Sequence, residues 1–186
     1  PIMKSREESK ALLAEYVKSP SLLNHCNMVA FAMESYAKSL GLPQEEIETW
    51  WTAGLLHDLD WEMFPDLHPG KAVSEILPKL GYQNQVLEAI KAHAPDRTGK
   101  VPEADIERYL FACDEICGFI NAVSLIRPTK FAGMEVKSIT KRLKEPRFAA
   151  NVSREDITKG AELINKPLED HISFLLSAFE NWQGIQ

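Results

Sequence analysis

The chain has 186 residues, of which 45% are hydrophobic and 26% charged, as expected for one folded domain with a sizeable core. Its formal net charge of −6 argues against general nucleic-acid binding, and no apolar run is long enough to cross a bilayer. The three cysteines form an odd, sparse set, which predicts reduced thiols in a cytoplasmic protein rather than a disulfide framework.

Helical signals run along the whole chain, and no segment alternates apolar and polar residues as a strand would. The pattern predicts a first helix over residues 4–17 and a second that begins after Ser19-Pro20, where a hydroxyl and a proline suit a helix start. A third helix is predicted from Pro43 to about Leu59. Because its last turns are apolar on almost every face, we expect it at the centre of the fold.

The remaining elements are also predicted to be helical, which gives an all-α fold and a single domain over residues 1–186. The segment Ala94–Pro102 is predicted to be a loop, because two prolines and a glycine interrupt it. The further predicted helices cover residues 68–81, 84–93, 103–126, 136–144, a stretch after Ser153, and 168–182.

The most informative feature is the pair His57-Asp58, which stands inside the apolar third helix. Burying an imidazole beside a carboxylate costs free energy unless something organises them, and a divalent metal does so because both are good ligands. Helical bundles build metal sites from ligands on facing helices. Four more residues on or at the ends of other predicted helices could complete such a site: His25, His68, His93 and Asp114.

The number of candidate ligands allows one metal or two. One metal with open coordination positions suits four of them: His25, His57, Asp58 and Asp114. The other two, His68 and His93, would hold a second metal, with Asp58 as the bridge. Two metals about 3.5–4 Å apart can share a hydroxide, formed because a metal lowers the pKa of bound water to about 7.

The ordered set H…HD…H…H…D, spread over residues 20–128, resembles the HD-domain superfamily of metal-dependent phosphohydrolases, in particular its dinuclear members. The resemblance implies an all-α HD-domain bundle with its metal-binding core at residues 20–128 and a C-terminal helical extension at residues 129–186. It also implies two divalent metal ions, among which Fe, Mn, Zn, Ni, Co and Mg are not distinguished. The expected reaction is cleavage of a small phosphomonoester or phosphodiester, nucleotides included, by a metal-bridging hydroxide.

Two departures from the family pattern bear on the reaction. The segment Ala92-His93-Ala94-Pro95 has a single histidine where cyclic-dinucleotide-cleaving members carry a longer motif, which argues against that substrate. The short gap from Asp58 to His68 is similar to that of smaller dinuclear members, some of which are di-iron oxygenases. A di-iron oxygenase on the same ligands is therefore an alternative, and a catalytically silent metal-containing sensing module is another.

Several polar residues near the ligands are candidates for catalysis or substrate binding. We expect Asp58 to take part in catalysis as the bridging ligand, assisted by the positive charge of Lys91. Asp60 and Glu62 could orient ligand histidines or act as a general acid or base, with solvated loop carboxylates as the competing interpretation.

Substrate phosphate contacts are expected from two parts of the chain. From residue 127 to residue 147 there are seven basic and two acidic residues, and this stretch could close over the site. An ordinary solvated surface is the alternative for each of these side chains. The candidates for phosphate binding are Arg97, Thr98, Lys141 and Arg154.

Overall fold

The computed structural model describes residues 3–182, and over that range the chain forms ten α-helices and no strand. The all-α prediction is confirmed. The helices are α1 (Arg6–Tyr16), α2 (Pro20–Ser39), α3 (Gln44–Leu56), α4 (Leu77–Lys79), α5 (Asn84–Ala92), α6 (Pro95–Thr98), α7 (Asp105–Leu125), α8 (Val136–Leu143), α9 (Arg154–Leu163) and α10 (Leu168–Phe179).

The first two helices begin where their capping residues stand. The Ser5 hydroxyl accepts a hydrogen bond from the backbone N–H of Glu8, whose carboxylate accepts from the N–H of Ser5 in return. The Ser19 hydroxyl caps α2 by accepting from the backbone N–H of Leu22, and Pro20 occupies the first turn, where no N–H partner is needed.

The centre of the fold is formed by α2, α3, α5 and α7. Helix α2 packs against α3 and α7, and α5 packs against both α3 and α7. At one crossing the helix backbones nearly touch, because a Cβ placed on Gly54 of α3 would lie 2.8 Å from the Cα of Ala30 in α2. Glycine at this position therefore sets the distance between the two helices that carry His25 and His57.

The C-terminal helices pack on the same core. Helix α9 lies against α7, where a Cβ on Gly160 would meet the Cα of Ala112 at 2.8 Å, and α10 contacts α2, α8 and α9. His171 of α10 is buried between the Tyr36 hydroxyl, which donates to its Nδ1 at 2.5 Å, and the Ala112 carbonyl, which accepts from its Nε2 at 2.8 Å. The boundary at residues 128/129 between core and extension stays a prediction.

The structure differs from the predicted elements in four places. The predicted helix over residues 68–81 is present from residue 70 to residue 79, but it contains a π-helical turn (Ala72–Ile76) before the short α4, and a 3₁₀ turn (Pro65–Leu67) precedes it. The predicted loop Ala94–Pro102 contains α6, because Pro95 stands in a first turn where proline is tolerated. The last helix ends at Phe179 rather than residue 182. The third helix ends at Leu56 rather than Leu59, so His57 is its C-cap residue and Asp58 lies in the turn that follows.

No helix among residues 3–182 combines the length and apolarity needed to span a bilayer.

Candidate metal centre

All six predicted ligands converge on one place in the fold. They form two groups that share Asp58, and within each group the candidate ligand atoms lie no more than 4.8 Å apart. The first group contains His25, His57, Asp58 and Asp114. The second contains Asp58, His68 and His93.

The first group is the tighter of the two. His25 Nε2 lies 2.9 Å from Asp114 Oδ1 and 3.2 Å from His57 Nε2. His57 Nε2 in turn lies 3.1 Å from Asp114 Oδ1 and 3.2 Å from Asp58 Oδ2. Atoms bound at about 2.0–2.2 Å to one metal are separated by about 3 Å at adjacent positions, so these distances fit a single cation.

The second group uses the other oxygen of the shared carboxylate. Asp58 Oδ1 lies 3.5 Å from His68 Nε2 and 3.6 Å from His93 Nε2, while its Oδ2 faces His25 and His57. One carboxylate with an oxygen toward each group is the arrangement that a bridging ligand requires.

The orientation of three imidazole rings is fixed by acceptors on their outer side. The Nδ1 of His57 donates to the Gly54 carbonyl at 2.7 Å, and that of His93 donates to the Ile90 carbonyl at 2.5 Å. The Nδ1 of His68 donates to a carboxylate oxygen of Asp60 at 2.7 Å. In the neutral ring each Nε2 therefore carries a lone pair, and all three lone pairs face carboxylate oxygens. A cation between them removes this repulsion, so the residues fit a metal.

The charges of the centre also shift its pKa values. Burial lowers the pKa of His57, but the nearby Asp58 and Asp114 carboxylates outweigh it and hold that pKa well above the usual range. Burial raises the pKa of both carboxyls, yet the charge and hydrogen bonds of His57 leave them below their ordinary values. The centre thus keeps its carboxylates ionised and attracts positive charge.

Of the two acidic residues that follow the histidine–aspartate pair, only one orients a ligand. Asp60 is fully buried, and while one of its oxygens holds His68, the other accepts from the backbone N–H of Ala72 at 2.9 Å. Glu62 instead accepts from the backbone N–H groups of Lys18 and Ser19, so it closes the connection before α2.

A cavity of about 540 Å³ opens onto both ligand groups. Trp61 forms part of its wall, with its ring edge-to-face against His68 at 5.2 Å. Arg97 also lines it, as expected of a substrate-binding residue. The Nη1 of Arg97 donates to the carbonyls of Pro65 and His68, and its guanidinium lies over the Trp61 ring.

The other four predicted contacts do not line this cavity. Lys91 pairs with Glu88 at 3.0 Å, so it is not placed to assist catalysis. The hydroxyl of Thr98 donates to the carbonyls at positions 91 and 94 and so stabilises the turn around α6. Lys141 is exposed on α8, away from the metal ligands lining the cavity.

Arg154 has a structural role that the sequence did not reveal. Its guanidinium donates to five backbone carbonyls, those of Leu143, Glu145, Phe148, Ala149 and Val152. The Leu143 carbonyl ends α8 and the other four belong to the connection between α8 and α9, of which Asn151 and Val152 line the cavity. No residue of the basic stretch 127–147 lines the cavity, so its closure over the site stays a prediction.

The acidic wall of the cavity was missed by sequence reasoning. Asp96, Glu115, Glu155 and Asp156 all line it, and they come from α6, α7 and α9. Burial, together with the charge of Asp114, raises the pKa of Glu115 to about 7. Two sequence signals existed: Glu115 directly follows the candidate ligand Asp114, and Asp96 stands three residues after His93 in a segment that was predicted to be a loop. Glu155 and Asp156 are far from every candidate ligand in the sequence.

The chain was compared with known proteins. Residues 22–169 match the model of the HD domain family. No curated protein matches the chain, and no solved structure matches it. The family match covers more than half of the chain and includes all six converging ligands, and HD domains bind divalent metals. The chain therefore belongs to the HD domain family.

Proposed function

We propose that this protein is a divalent-metal-dependent phosphohydrolase that cleaves a phosphomonoester or phosphodiester. The observation that carries the proposal is the convergence of imidazole lone pairs and ionised carboxylates, grouped around one shared aspartate at the base of a cavity. Four ligands would hold the first metal and three the second, so both metals keep positions open to water and substrate.

The family implies the metals, and the ligand set fits them. Two bound divalent ions would supply the Lewis acidity that ionises water near neutral pH and offsets charge on a phosphoryl group. The protein's own contribution is orientation. Asp60 and two backbone carbonyls hold the Nε2 atoms of three histidines toward the centre, and Asn151 and Val152 of the connection after α8 form part of the cavity wall.

We propose Arg97 as the cationic side chain that contacts the phosphate. The Nη1 of Arg97 is held by the carbonyls of residues 65 and 68 at the cavity wall. Its remaining N–H groups can donate to a phosphate oxygen, in the forked geometry that suits guanidinium. In this arrangement Arg97 binds the substrate and the metal ligands organise the reacting end.

The test begins with protein stripped by chelation and reloaded separately with Mn²⁺, Fe²⁺, Co²⁺, Ni²⁺, Zn²⁺ or Mg²⁺. We expect hydrolysis of p-nitrophenyl phosphate or its diester only after reloading. Asp58→Asn should lower kcat by about 100-fold or more, since it removes a charge from both metals. The matched control is Asp170→Asn on the exposed face of α10, which should keep wild-type activity.

Hydrolysis that survives complete chelation would contradict the proposal. A di-iron oxygenase is the second candidate, because four of the six ligands are imidazoles, which suit iron. Oxygen uptake by iron-loaded protein, without phosphate release, would support it instead. Tight nucleotide binding without turnover of either kind would identify a sensing module.

A further inference from the structure

The cavity over the metal centre has an excess of negative charge that the metal ligands do not explain. Beyond Asp58 and Asp114, four carboxylates line it: Asp96, Glu115, Glu155 and Asp156. In the described part of the chain, none of these four forms an ion pair with a lysine or arginine. Glu115 accepts a hydrogen bond from the Ser153 N–H.

The two basic side chains that line the cavity, Arg97 and Lys159, form no ion pair with these carboxylates and have other contacts. The Arg97 guanidinium is bound to two backbone carbonyls and lies 5.5 Å from the centre of the Trp61 ring. The Lys159 ammonium lies over the ring of Phe111, 5.7 Å from its centre. The charge of Lys159 lowers the pKa of Asp156, but burial and the charges of Asp96 and Glu155 outweigh it. The four carboxylates therefore outnumber the two cations that line the cavity with them.

These carboxylates are also close enough to repel one another across the cavity. Burial raises the pKa of Asp156, and the charges of Asp96 on α6 and Glu155 on α9 raise it further. The two helices thus bring like charges together, which costs free energy unless a cation lies between them. A wall of this kind discriminates among ligands by charge.

We infer that the substrate carries an ammonium or similar cationic group beside the oxyanion that the metals bind, and that Asp96, Glu155 and Asp156 select for it. The inference rests on the proposed function, because it takes the metal cavity to be the substrate site. A phosphate meets positive charge at the base of the cavity, whereas a second anionic group would meet the carboxylate wall. Polyphosphates are therefore disfavoured, and a zwitterionic phosphoester is favoured.

The experiment compares three phosphonates that differ only at the end remote from phosphorus: 3-aminopropylphosphonate, propylphosphonate and 3-phosphonopropionate. Their binding to the metal-loaded protein is measured by calorimetry. We expect 3-aminopropylphosphonate to bind about tenfold more tightly than propylphosphonate, because each exposed charge pair contributes modestly to the binding free energy. The negatively charged 3-phosphonopropionate should bind most weakly. The preference should shrink in high salt, which screens exposed charges.

Isosteric amides identify the residues responsible. The double variant Asp96→Asn/Asp156→Asn should reduce the preference for the amine to about threefold or less, as expected when two partly exposed charges are removed. Glu162→Gln on the same helix α9, outside the cavity, is the matched control and should keep the full preference. If the double variant does not fold, the single variant Glu155→Gln and the salt dependence of the wild type decide the question.

Three results would overturn the inference, of which the first two are equal binding of all three phosphonates and an undiminished preference in the double variant. The third is a rise in propylphosphonate affinity when excess Mg²⁺ is added, as large as the affinity difference between 3-aminopropylphosphonate and propylphosphonate. In that case the carboxylate wall would bind a metal rather than a substrate ammonium. Failure of the proposed function is distinguishable. It would appear as no hydrolysis of any phosphoester, while the binding preference measured by calorimetry persists.

Discussion

Replacing Gly54 with alanine tests whether the contact between α2 and α3 sets the geometry of the metal centre. The added Cβ would lie 2.8 Å from the Cα of Ala30, 2.9 Å from its nitrogen and 2.9 Å from the carbonyl oxygen of Val29. All three are backbone atoms, so no side-chain rotation can relieve the clash. Gly54 also supplies the carbonyl that orients His57.

The magnitude follows from two opposing effects. Alanine in place of glycine inside a helix favours the helix by about 1 kcal/mol. To reach the 3.4 Å of ordinary contact, however, the helices must separate by about 0.6 Å, and overpacking of a close-packed interior costs about 1–3 kcal/mol. With rigid backbone on the other side we take the upper end, so Gly54→Ala should destabilise the protein by about 2 kcal/mol.

The assay is urea unfolding of the metal-free protein, followed by titration with metal. The matched variant is Gly118→Ala in α7, where the added Cβ meets only His25 Nδ1 at 4.0 Å. That variant should be more stable than the wild type by about 0.5–1 kcal/mol. The two glycine-to-alanine changes should therefore have opposite signs. Gly54→Ala should also bind the first metal more weakly, because His57 moves relative to His25.

The reasoning is refuted if Gly54→Ala unfolds at the same urea concentration as the wild type or a higher one. A loss of stability with unchanged metal affinity would show that the helix contact supports the fold without setting the ligand geometry.

Three further predictions follow from single side chains. Asp60→Asn can no longer accept hydrogen bonds from both His68 and the backbone N–H of Ala72. We therefore expect the second metal to bind about 10–100-fold more weakly. Elemental analysis should show the metal stoichiometry falling from two to one. Retention of both metals would contradict it. Burial lowers the pKa of His171 from 6.5 to about 4. As the pH falls, the unfolded chain therefore binds this proton at a higher pH than the folded protein does. The free energy of unfolding should fall by about 3 kcal/mol between pH 7 and pH 4. His171→Gln should lose this component, and an identical pH dependence in the two proteins would argue against it. Arg154→Lys should cost about 2 kcal/mol by leaving carbonyls without donors, and should speed amide exchange over residues 144–153. Unchanged exchange there would mean that the connection is held by other contacts.

The helical elements could be predicted from the chain because their signals are local. Ser5 and Ser19 cap their helices where a hydroxyl precedes an apolar periodic run, and Pro20 fits the first turn. Over residues 68–81 the helix was predicted, but its π-helical turn (Ala72–Ile76) was not. The N–H of Ala72 in the first turn donates to the buried carboxylate of Asp60, a side chain outside this helix that its local pattern does not contain.

The candidate ligands could likewise be predicted, but the surrounding contacts could not. Lys91 was selected for catalysis and Arg154 for phosphate binding because of their charge. The structure gives Lys91 a carboxylate partner one turn away on its own helix and gives Arg154 the carbonyls of the neighbouring connection between α8 and α9. A positive charge alone does not indicate which of the nearby acceptors it will meet. Asp96 and Asp156, in contrast, look like ordinary surface residues until α6 and α9 place them on the same cavity.

The amino-acid sequence by itself determined the helical class and the identity of the six converging ligands. Helix propensity and capping act over a few residues, and imidazole and carboxylate groups are rare inside apolar helices without a reason. Only the tertiary structure decided that one aspartate faces both ligand groups and that the cavity above them is acidic. Distances between side chains on separate helices depend on how closely the backbones pack, as at Gly54, and that is a property of the assembled fold.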